Sequence, residues 1–320
     1  MNTRISSSID ISLRNPNELI AAVPFLLGYR PHDSIVLIGL DDTRITVTGR
    51  VALPDTADDL DAFATIVRAL HNNDVSAAVL IGFGPADRVT RCIDRLRDAI
   101  TDSGIELVDA LRVDGDRYWS YLCRDVDCCP TEGHRLAPED TTIAAEFTAA
   151  GAQAKPDRES VVRQLDAVTG DARDAMATAT RRIIDVLGSP VDGRLLRERG
   201  QSILAHCADT LELPGHDDTA WLAVALADET ILDEAMLSID QHPAECDSTA
   251  LWVWLTRHAG PDQRPLCAAV LSYAAWRCGN GALAGEAVRI ATATRPWHQL
   301  AEAMLRILEN GVPPWAKVAP

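Results

Sequence analysis

The segments that can form strands lie almost entirely within the first 123 residues of this 320-residue chain. Residues 34–40 and 77–83 are continuous apolar runs rich in β-branched side chains, which predicts strands buried on both faces. Residues 45–53 alternate apolar and polar positions, which predicts a hairpin partner for the first run. Residues 107–123 form two further runs around an Asp-Gly-Asp turn, a typical hairpin signal. Any sheet of this protein must therefore be built by the first half of the chain.

Helical patterns separate these strands. A helix is predicted over residues 15–27, where Asn15 can cap the start, Gly28 ends the pattern and Pro24 should kink or shorten it. Further helices are predicted from residue 55 to 70 and over residues 86–103. The resulting order, α-β-β-α-β-α-β-β, predicts an α+β or α/β domain: a mixed β-sheet covered by helices. The apolar face of the 86–103 helix is predicted to comprise Val89, Cys92, Ile93, Leu96 and Ile100.

The composition changes around residues 151–157, which predicts a linker between a domain at residues 1–150 and an all-α domain at residues 158–320. The second domain has almost no strand signal. Its predicted helices cover residues 158–165, 171–187, 194–211, 218–239, 249–258, 263–278, 281–294 and 296–309.

One segment of the second half indicates a repeat-like helix pair. A helix stops at Gly279, a second begins at Gly281 with small residues, and Pro296 closes the unit. This arrangement is typical of tetratricopeptide helix pairs. The alternative is an ordinary helical hairpin that carries small residues where its helices cross closely.

Charge and cysteine usage exclude several classes of protein. The net charge of −17 argues against nucleic-acid binding and against a general affinity for anionic membranes. The longest apolar stretch, residues 19–29, contains Pro24 and is about half the ~20 residues that a membrane span needs. The start of the chain has no secretory signal pattern, and eight cysteines without one indicate free thiols in a reducing compartment. We therefore expect a cytoplasmic protein.

The densest group of reactive side chains is Cys123, Cys128, Cys129 and His134. Three thiols and one imidazole match a Cys3His set, so this loop is a candidate for a structural zinc site. Two alternatives remain open. One cysteine can act as a nucleophile with His134 as its base, or the thiols can simply pack the loop against neighbouring aromatic residues. No other cofactor is expected.

Four further residues are candidates for ligand binding. Asp33 precedes a predicted strand, Arg50 interrupts another, and Trp119 lies just before the cysteines. Arg14 begins the block that leads into the first helix. A deep pocket lined by Arg14, Asp33, Arg50 or Cys128 would indicate an enzyme or a small-molecule binder.

Three blocks of the sequence resemble a known family. They are residues 14–34, which include Asn15-Pro16 and Gly28-Tyr29, the segment Trp119 to Gly133 with its cysteines, and residues 279–314. In this order they resemble an actinobacterial family known as domain of unknown function 4192. The resemblance implies no activity, and the family pattern does not demand histidine at position 134.

Two functions compete at this stage. The absence of a recognisable catalytic set, together with helix pairs that commonly present concave faces, favours a non-enzymatic module that binds a protein partner or another copy of itself. The alternative is an enzyme, or a protein that binds a small molecule or metal, with its site near the cysteine loop.

Overall fold

The apolar runs predicted as buried strands lie side by side at the centre of one sheet. The structure is a computed structural model, and it describes residues 3–5, 12–13, 15–42, 44–54, 61–136, 141–150, 152–241, 248–294 and 296–314. The chain divides into two units, Met1–Arg158 with Glu309–Pro320, and Glu159–Leu308. Residues 309–314, which were predicted to belong to the helical domain, therefore group with the first unit.

Within the described residues, eight strands of the first unit form a mixed sheet in the order β2-β1-β4-β3-β5-β6-β7-β8. The pairs β1–β4 and β5–β6 are parallel and the other neighbours are antiparallel. The strands are β1 (Thr3–Ile5), β2 (Ser12–Leu13), β3 (Ser34–Asp41), β4 (Arg44–Ala52), β5 (Ala77–Phe83), β6 (Glu106–Asp114), β7 (Arg117–Ser120) and β8 (His134–Arg135).

Helices cover both faces of this sheet: α1 (Pro16–Leu27), α2 (Asp61–Asn72), α3 (Ala86–Asp102) and α4 (Thr141–Ala149). Because side chains alternate along a strand, Val36 and Ile38 pack with residues of α1 and α4, whereas Ile35 and Leu37 pack with residues of α2 and α3. The predicted mixed sheet with helical cover is confirmed. The predicted start of α2 at residues 55–60 lies outside the described residues.

Helix α1 begins as predicted and runs through its proline. The Asn15 side chain accepts a hydrogen bond from the Glu18 backbone N–H at 3.0 Å, and Gly28 ends the helix with a φ of 80°. Pro24 neither stops nor shortens the helix, which continues to Leu27. The proline lies in the last turn, where the burial of Val23 and the glycine cap hold the helical path.

The predicted linker is joined to the end of α1 by backbone hydrogen bonds. Lys155 N–H donates to the carbonyl of Gly28 at 2.8 Å, and Arg30 N–H donates to the carbonyl of Lys155 at 3.0 Å. These contacts make a short parallel bridge between Tyr29 and Lys155. This segment therefore belongs structurally to the first unit.

The regular elements of the second unit, within its described residues, are all helices. Its helices are α5 (Arg158–Arg163), α6 (Gly170–Leu187), α7 (Gly193–Thr210), α8 (His216–Ala225), α9 (Glu229–Gln241), α10 (Ser248–His258), α11 (Arg264–Arg277), α12 (Gly281–Ala291) and α13 (Gln299–Glu309). The prediction of a single helix over residues 218–239 is wrong, because one helix ends at Ala225 and the next begins at Glu229. Asp228 accepts a hydrogen bond from Thr230 N–H at the new start.

The predicted pair around Gly279 is present as α11 and α12. Gly279 has a φ of 74°, and the Asn280 side chain accepts from the Leu283 N–H at 3.1 Å to start the second helix. Helix α11 is buried from Cys267 to Trp276, and Ser272 Oγ donates to the carbonyl of Ala284 at 2.9 Å. Small side chains at the crossings let these helices approach closely. None of the helices described is both long and apolar enough to cross a bilayer.

Candidate functional site

The cysteine loop, residues 121–133, connects β7 to β8 at one edge of the sheet. Ser120, the last residue of β7, sets its starting direction. Its hydroxyl donates to Asp109 Oδ1 at 2.8 Å and accepts hydrogen bonds from the N–H groups of Leu122 and Cys123 at 3.2 Å. These bonds attach the first cysteine of the loop to the adjacent strand β6.

Asp125 folds the loop back on itself. Its side chain accepts hydrogen bonds from the N–H groups of Asp127 at 2.9 Å and Cys128 at 3.4 Å. Its carbonyl accepts from the Cys129 N–H at 2.6 Å. An aspartate that bonds to backbone groups two and three residues ahead produces a tight turn. The turn brings Cys128 and Cys129 back towards Cys123.

The sulfur atoms of Cys123, Cys128 and Cys129 all lie within 4.8 Å of one another. The Cys128 and Cys129 sulfurs are 4.0 Å apart. Cys128 is exposed, and the other two cysteines are half-buried. Three converging thiols at the surface form a ligand set for a thiophilic metal ion such as zinc.

The pKa values of Cys123 and Cys129 shift in opposite directions. The Cys129 thiol lowers the pKa of Cys123 by hydrogen bonding to its sulfur, and a backbone hydrogen bond from Asp125 acts in the same direction. Desolvation, followed by the hydrogen bonds to Cys123 and Cys128, raises the pKa of Cys129 to about 12. The Cys129 thiol therefore keeps its proton near neutral pH. A metal ion that binds all three must displace at least the proton of Cys129.

His134 is not part of this sulfur group. It begins β8, where it pairs with Tyr118 across the antiparallel ladder. Its ring stacks on the Tyr118 ring with centroids 5.0 Å apart. The structure thus brings together three of the four residues in the predicted metal set.

Trp119 supports the far end of the loop. Its indole Nε1–H donates to the carbonyl of Thr131 at 3.1 Å, and the guanidinium of Arg112 lies 3.7 Å from the ring centroid. Gly133 lies against the indole with a φ of 76°, and a Cβ atom there would be 2.5 Å from a ring carbon. Trp119, predicted as a ligand-binding residue, thus has loop contacts that only glycine at position 133 permits.

The chain matches one known protein family over most of its length. The family described as Domain of unknown function (DUF4192) matches residues 16–315, which span both units. The chain belongs to this family. Neither a curated protein nor a solved structure matches the chain. The cysteine loop, its supporting residues and all helices from α1 to α13 lie within the matched DUF4192 region.

The remaining predicted ligand-binding residues of the DUF4192 chain have protein partners or lie outside the description. Asp33, with a φ of 40°, accepts a hydrogen bond from Arg88 at 3.2 Å, and Arg88 also donates to the carbonyl of Leu53. Arg50 donates to the carbonyl of His32 at 3.4 Å. Arg14 lies outside the described residues.

The sequence did not lead us to predict that Ser120 and Asp125 shape the loop. The signal for Asp125 was present in the sequence, because aspartate followed by a turn is a common backbone-capping pattern. Ser120 gave no such signal, since its partner Asp109 lies on the adjacent strand β6. The shape of the loop thus depends on local and non-local hydrogen bonds, which the spacing of the cysteines does not reveal.

The second unit of the DUF4192 protein carries an open cleft of about 700 Å³, which the sequence analysis did not predict. It lies between α6 and the start of α8. Two ion pairs lie at this cleft: Arg182 binds Asp217 at 2.9 Å, and Asp218 binds Arg199 at 3.4 Å. All four side chains are substantially exposed, so these pairs contribute little to stability.

Proposed function

We propose that the cysteine loop binds a thiophilic metal ion, with zinc as the physiological choice, through Cys123, Cys128 and Cys129. The proximity of the three sulfurs carries this proposal. In a tetrahedral zinc site with Zn–S bonds of about 2.3 Å, neighbouring sulfurs lie about 3.8 Å apart. The Cys128–Cys129 sulfur separation of 4.0 Å is close to that value. All pairs of sulfurs in the group lie within 4.8 Å, which is about 1 Å more than the separation in a zinc site.

The role proposed for the metal is structural. The loop offers little apolar material to a core, since Val126 is 68% exposed and Cys128 is also exposed. A metal bound by three thiolates would fix the loop where burial contributes little. His134 is the proposed fourth ligand, and its use requires the ring or the loop to move, because its nitrogens lie outside the sulfur group.

Metal analysis tests this function. Protein purified without a histidine tag is equilibrated with one equivalent of zinc, passed over a desalting column and measured by elemental mass spectrometry. We expect one zinc per chain in the wild type and in Cys278→Ser, a matched change of a half-buried thiol outside the loop. We expect loss of the metal in Cys129→Ser. A wild-type protein that retains no zinc would overturn the proposal, and an unchanged zinc content in His134→Ala would remove that residue from the site.

A second proposed role is non-enzymatic interaction with a protein partner or with a second copy of the chain, in the cytoplasm, where thiols stay reduced. The supporting observation is the exposure of aliphatic side chains near the end of α6 and in the α6–α7 connection. Ile184, Val186 and Val191 are 51%, 57% and 58% exposed. Where such side chains form a contiguous apolar patch on a monomer, the patch commonly marks an interaction surface.

The oligomeric state tests self-association directly. If the α6–α7 connection joins two copies, light scattering will give a dimer mass for the wild type and a monomer mass for Val186→Asp. Leu237→Asp, a comparable change at an exposed aliphatic position on α9, should leave the dimer intact. A wild-type monomer over the accessible concentration range would rule out self-association and leave partner binding to be tested by co-purification.

A further inference from the structure

The three sulfurs that form the proposed metal site are also close enough for disulfide chemistry. A disulfide usually joins residues whose Cα atoms lie about 4.4–6.8 Å apart. Consecutive Cα atoms across a trans peptide are only about 3.8 Å apart. Cys128 and Cys129 are consecutive and their peptide bond is not cis, so a bond between them would be strained. Cys123 is therefore the expected partner in any unstrained disulfide of this loop.

Cys129 is the better placed of the two partners for Cys123. Its sulfur lies within 4.8 Å of the Cys123 sulfur, and both residues are half-buried, whereas Cys128 is exposed. The backbone already holds this approach, because Cys129 N–H bonds to the carbonyl of Asp125 and Cys123 N–H bonds to Ser120. A disulfide here closes the loop across a turn that the protein has formed without it.

We propose that Cys123 and Cys129 form a reversible disulfide when a hydroperoxide oxidises the loop, and that the new bond expels the metal ion. The metal-expulsion step rests on the metal binding proposed above. A zinc ion that loses two of its three thiolate ligands keeps only Cys128 within the sulfur group, which is too few donors to retain it. The same side chains would then serve as a metal site under reducing conditions and as an oxidant sensor.

The reaction balances with hydrogen peroxide as the oxidant. One thiolate attacks a peroxide oxygen, the O–O bond breaks, and a sulfenic acid forms while hydroxide leaves. The second thiol then attacks the sulfenyl sulfur, the S–S bond forms and hydroxide leaves again as water. Two thiols lose two electrons and two protons in total, and one peroxide becomes two water molecules.

Trypsin provides a direct readout, because Arg124 lies between the two cysteines. Cleavage after Arg117, Arg124 and Arg135 places Cys123 in the peptide 118–124 and both other cysteines in the peptide 125–135. A Cys123–Cys129 disulfide links the two peptides, whereas a Cys128–Cys129 bond would stay within one. The zinc-loaded protein is treated with hydrogen peroxide, alkylated and digested, and the zinc released is measured with a colorimetric chelator.

We expect the linked peptide to appear together with one released zinc per link, and both changes to reverse with dithiothreitol and added zinc. In the zinc-free variants, Cys128→Ser should keep the link and Cys129→Ser should lose it. Zinc-loaded protein that forms no linked peptide would overturn the inference and leave the metal site standing. A link in protein that never binds zinc would overturn metal expulsion and the proposed function, while the disulfide itself would stand. A link that survives in Cys129→Ser would assign the partner to Cys128.

Discussion

Strands β3 and β5 and the cysteine loop belong to the same unit, but different forces hold them. Residues such as Ile38 and Ile81 are fully buried between helices, so apolar burial stabilises the two strands. The loop is held by a few polar contacts of Ser120, Asp125 and Trp119. The side chain of Val126 in this loop is 68% exposed. A substitution in the strands should therefore cost more stability than one in the loop, whose main effect should be on the site.

The largest expected effect tests whether apolar burial stabilises strands β3 and β5. Ile81→Ala removes a side chain that is 0% exposed and leaves a cavity between β3, β5 and the helices. We expect the free energy of unfolding to fall by about 2–5 kcal/mol. Val126→Ala, the matched truncation of an aliphatic side chain in the loop, should change it by no more than about 0.5 kcal/mol. Chemical denaturation followed by circular dichroism measures both, and equal losses would break the comparison.

The next effect tests how the loop is held. Gly133→Ala introduces a methyl group against the Trp119 ring at a residue with positive φ. We expect a loss of about 1–3 kcal/mol, altered indole fluorescence and weaker zinc retention, because the loop must leave its support. Gly115→Ala is the control, since Gly115 also has positive φ but nothing lies within 4 Å of its would-be Cβ. If both variants behave alike, backbone strain alone explains the loss and Trp119 does not position the loop.

A pH titration extends the comparison to a buried polar side chain of the second unit. His258 is 7% exposed, and its Nδ1 bonds to the carbonyl of Trp254 at 2.8 Å. Burial lowers the pKa of His258 below its usual 6.5, so as pH falls through that value the unfolded chain takes up the proton first. Stability should therefore decrease on acidification from pH 7 towards the folded-state pKa.

The midpoint of thermal unfolding at several pH values checks this expectation. His258→Gln should flatten the profile between pH 7 and 5, because no group titrates at that position. His206→Gln, which changes an exposed histidine of the same unit, should leave the slope as it is in the wild type. A wild-type midpoint that rises on acidification would contradict the assigned role of burial.

The smallest expected effect concerns the contact between Arg112 and Trp119. Arg112→Gln removes a guanidinium held 3.7 Å from the ring centroid and should lower stability by about 0.5–1 kcal/mol. Arg199→Gln removes a more distant and more exposed partner of Trp221, at 5.9 Å, and should have a smaller effect through its ring contact. Reversal of this order in denaturation experiments would mean that the stacked cation does not support the loop.

Periodicity predicted most of the fold because it is a local property. All five residues assigned to the apolar face of α3 are buried, and β3 and β5 lie where the continuous apolar runs indicated. The misses have a physical reason. The short strands β1, β2 and β8 contain two or three residues, too few for a period to be visible. The break between α8 and α9 falls within a continuous helical pattern and is marked only by the cap at Asp228.

For the candidate site, the sequence by itself determined which residue types were available, namely three thiols and an imidazole within twelve positions. Only the tertiary structure decided which of them meet. The turn at Asp125 gathers the sulfurs, Ser120 attaches the loop to the Asp109 side chain of the adjacent strand, and the pairing of β8 with β7 holds His134 on Tyr118. Helix and strand patterns arise from neighbours in sequence, whereas the path of an irregular loop depends on hydrogen bonds and packing from residues distant in sequence.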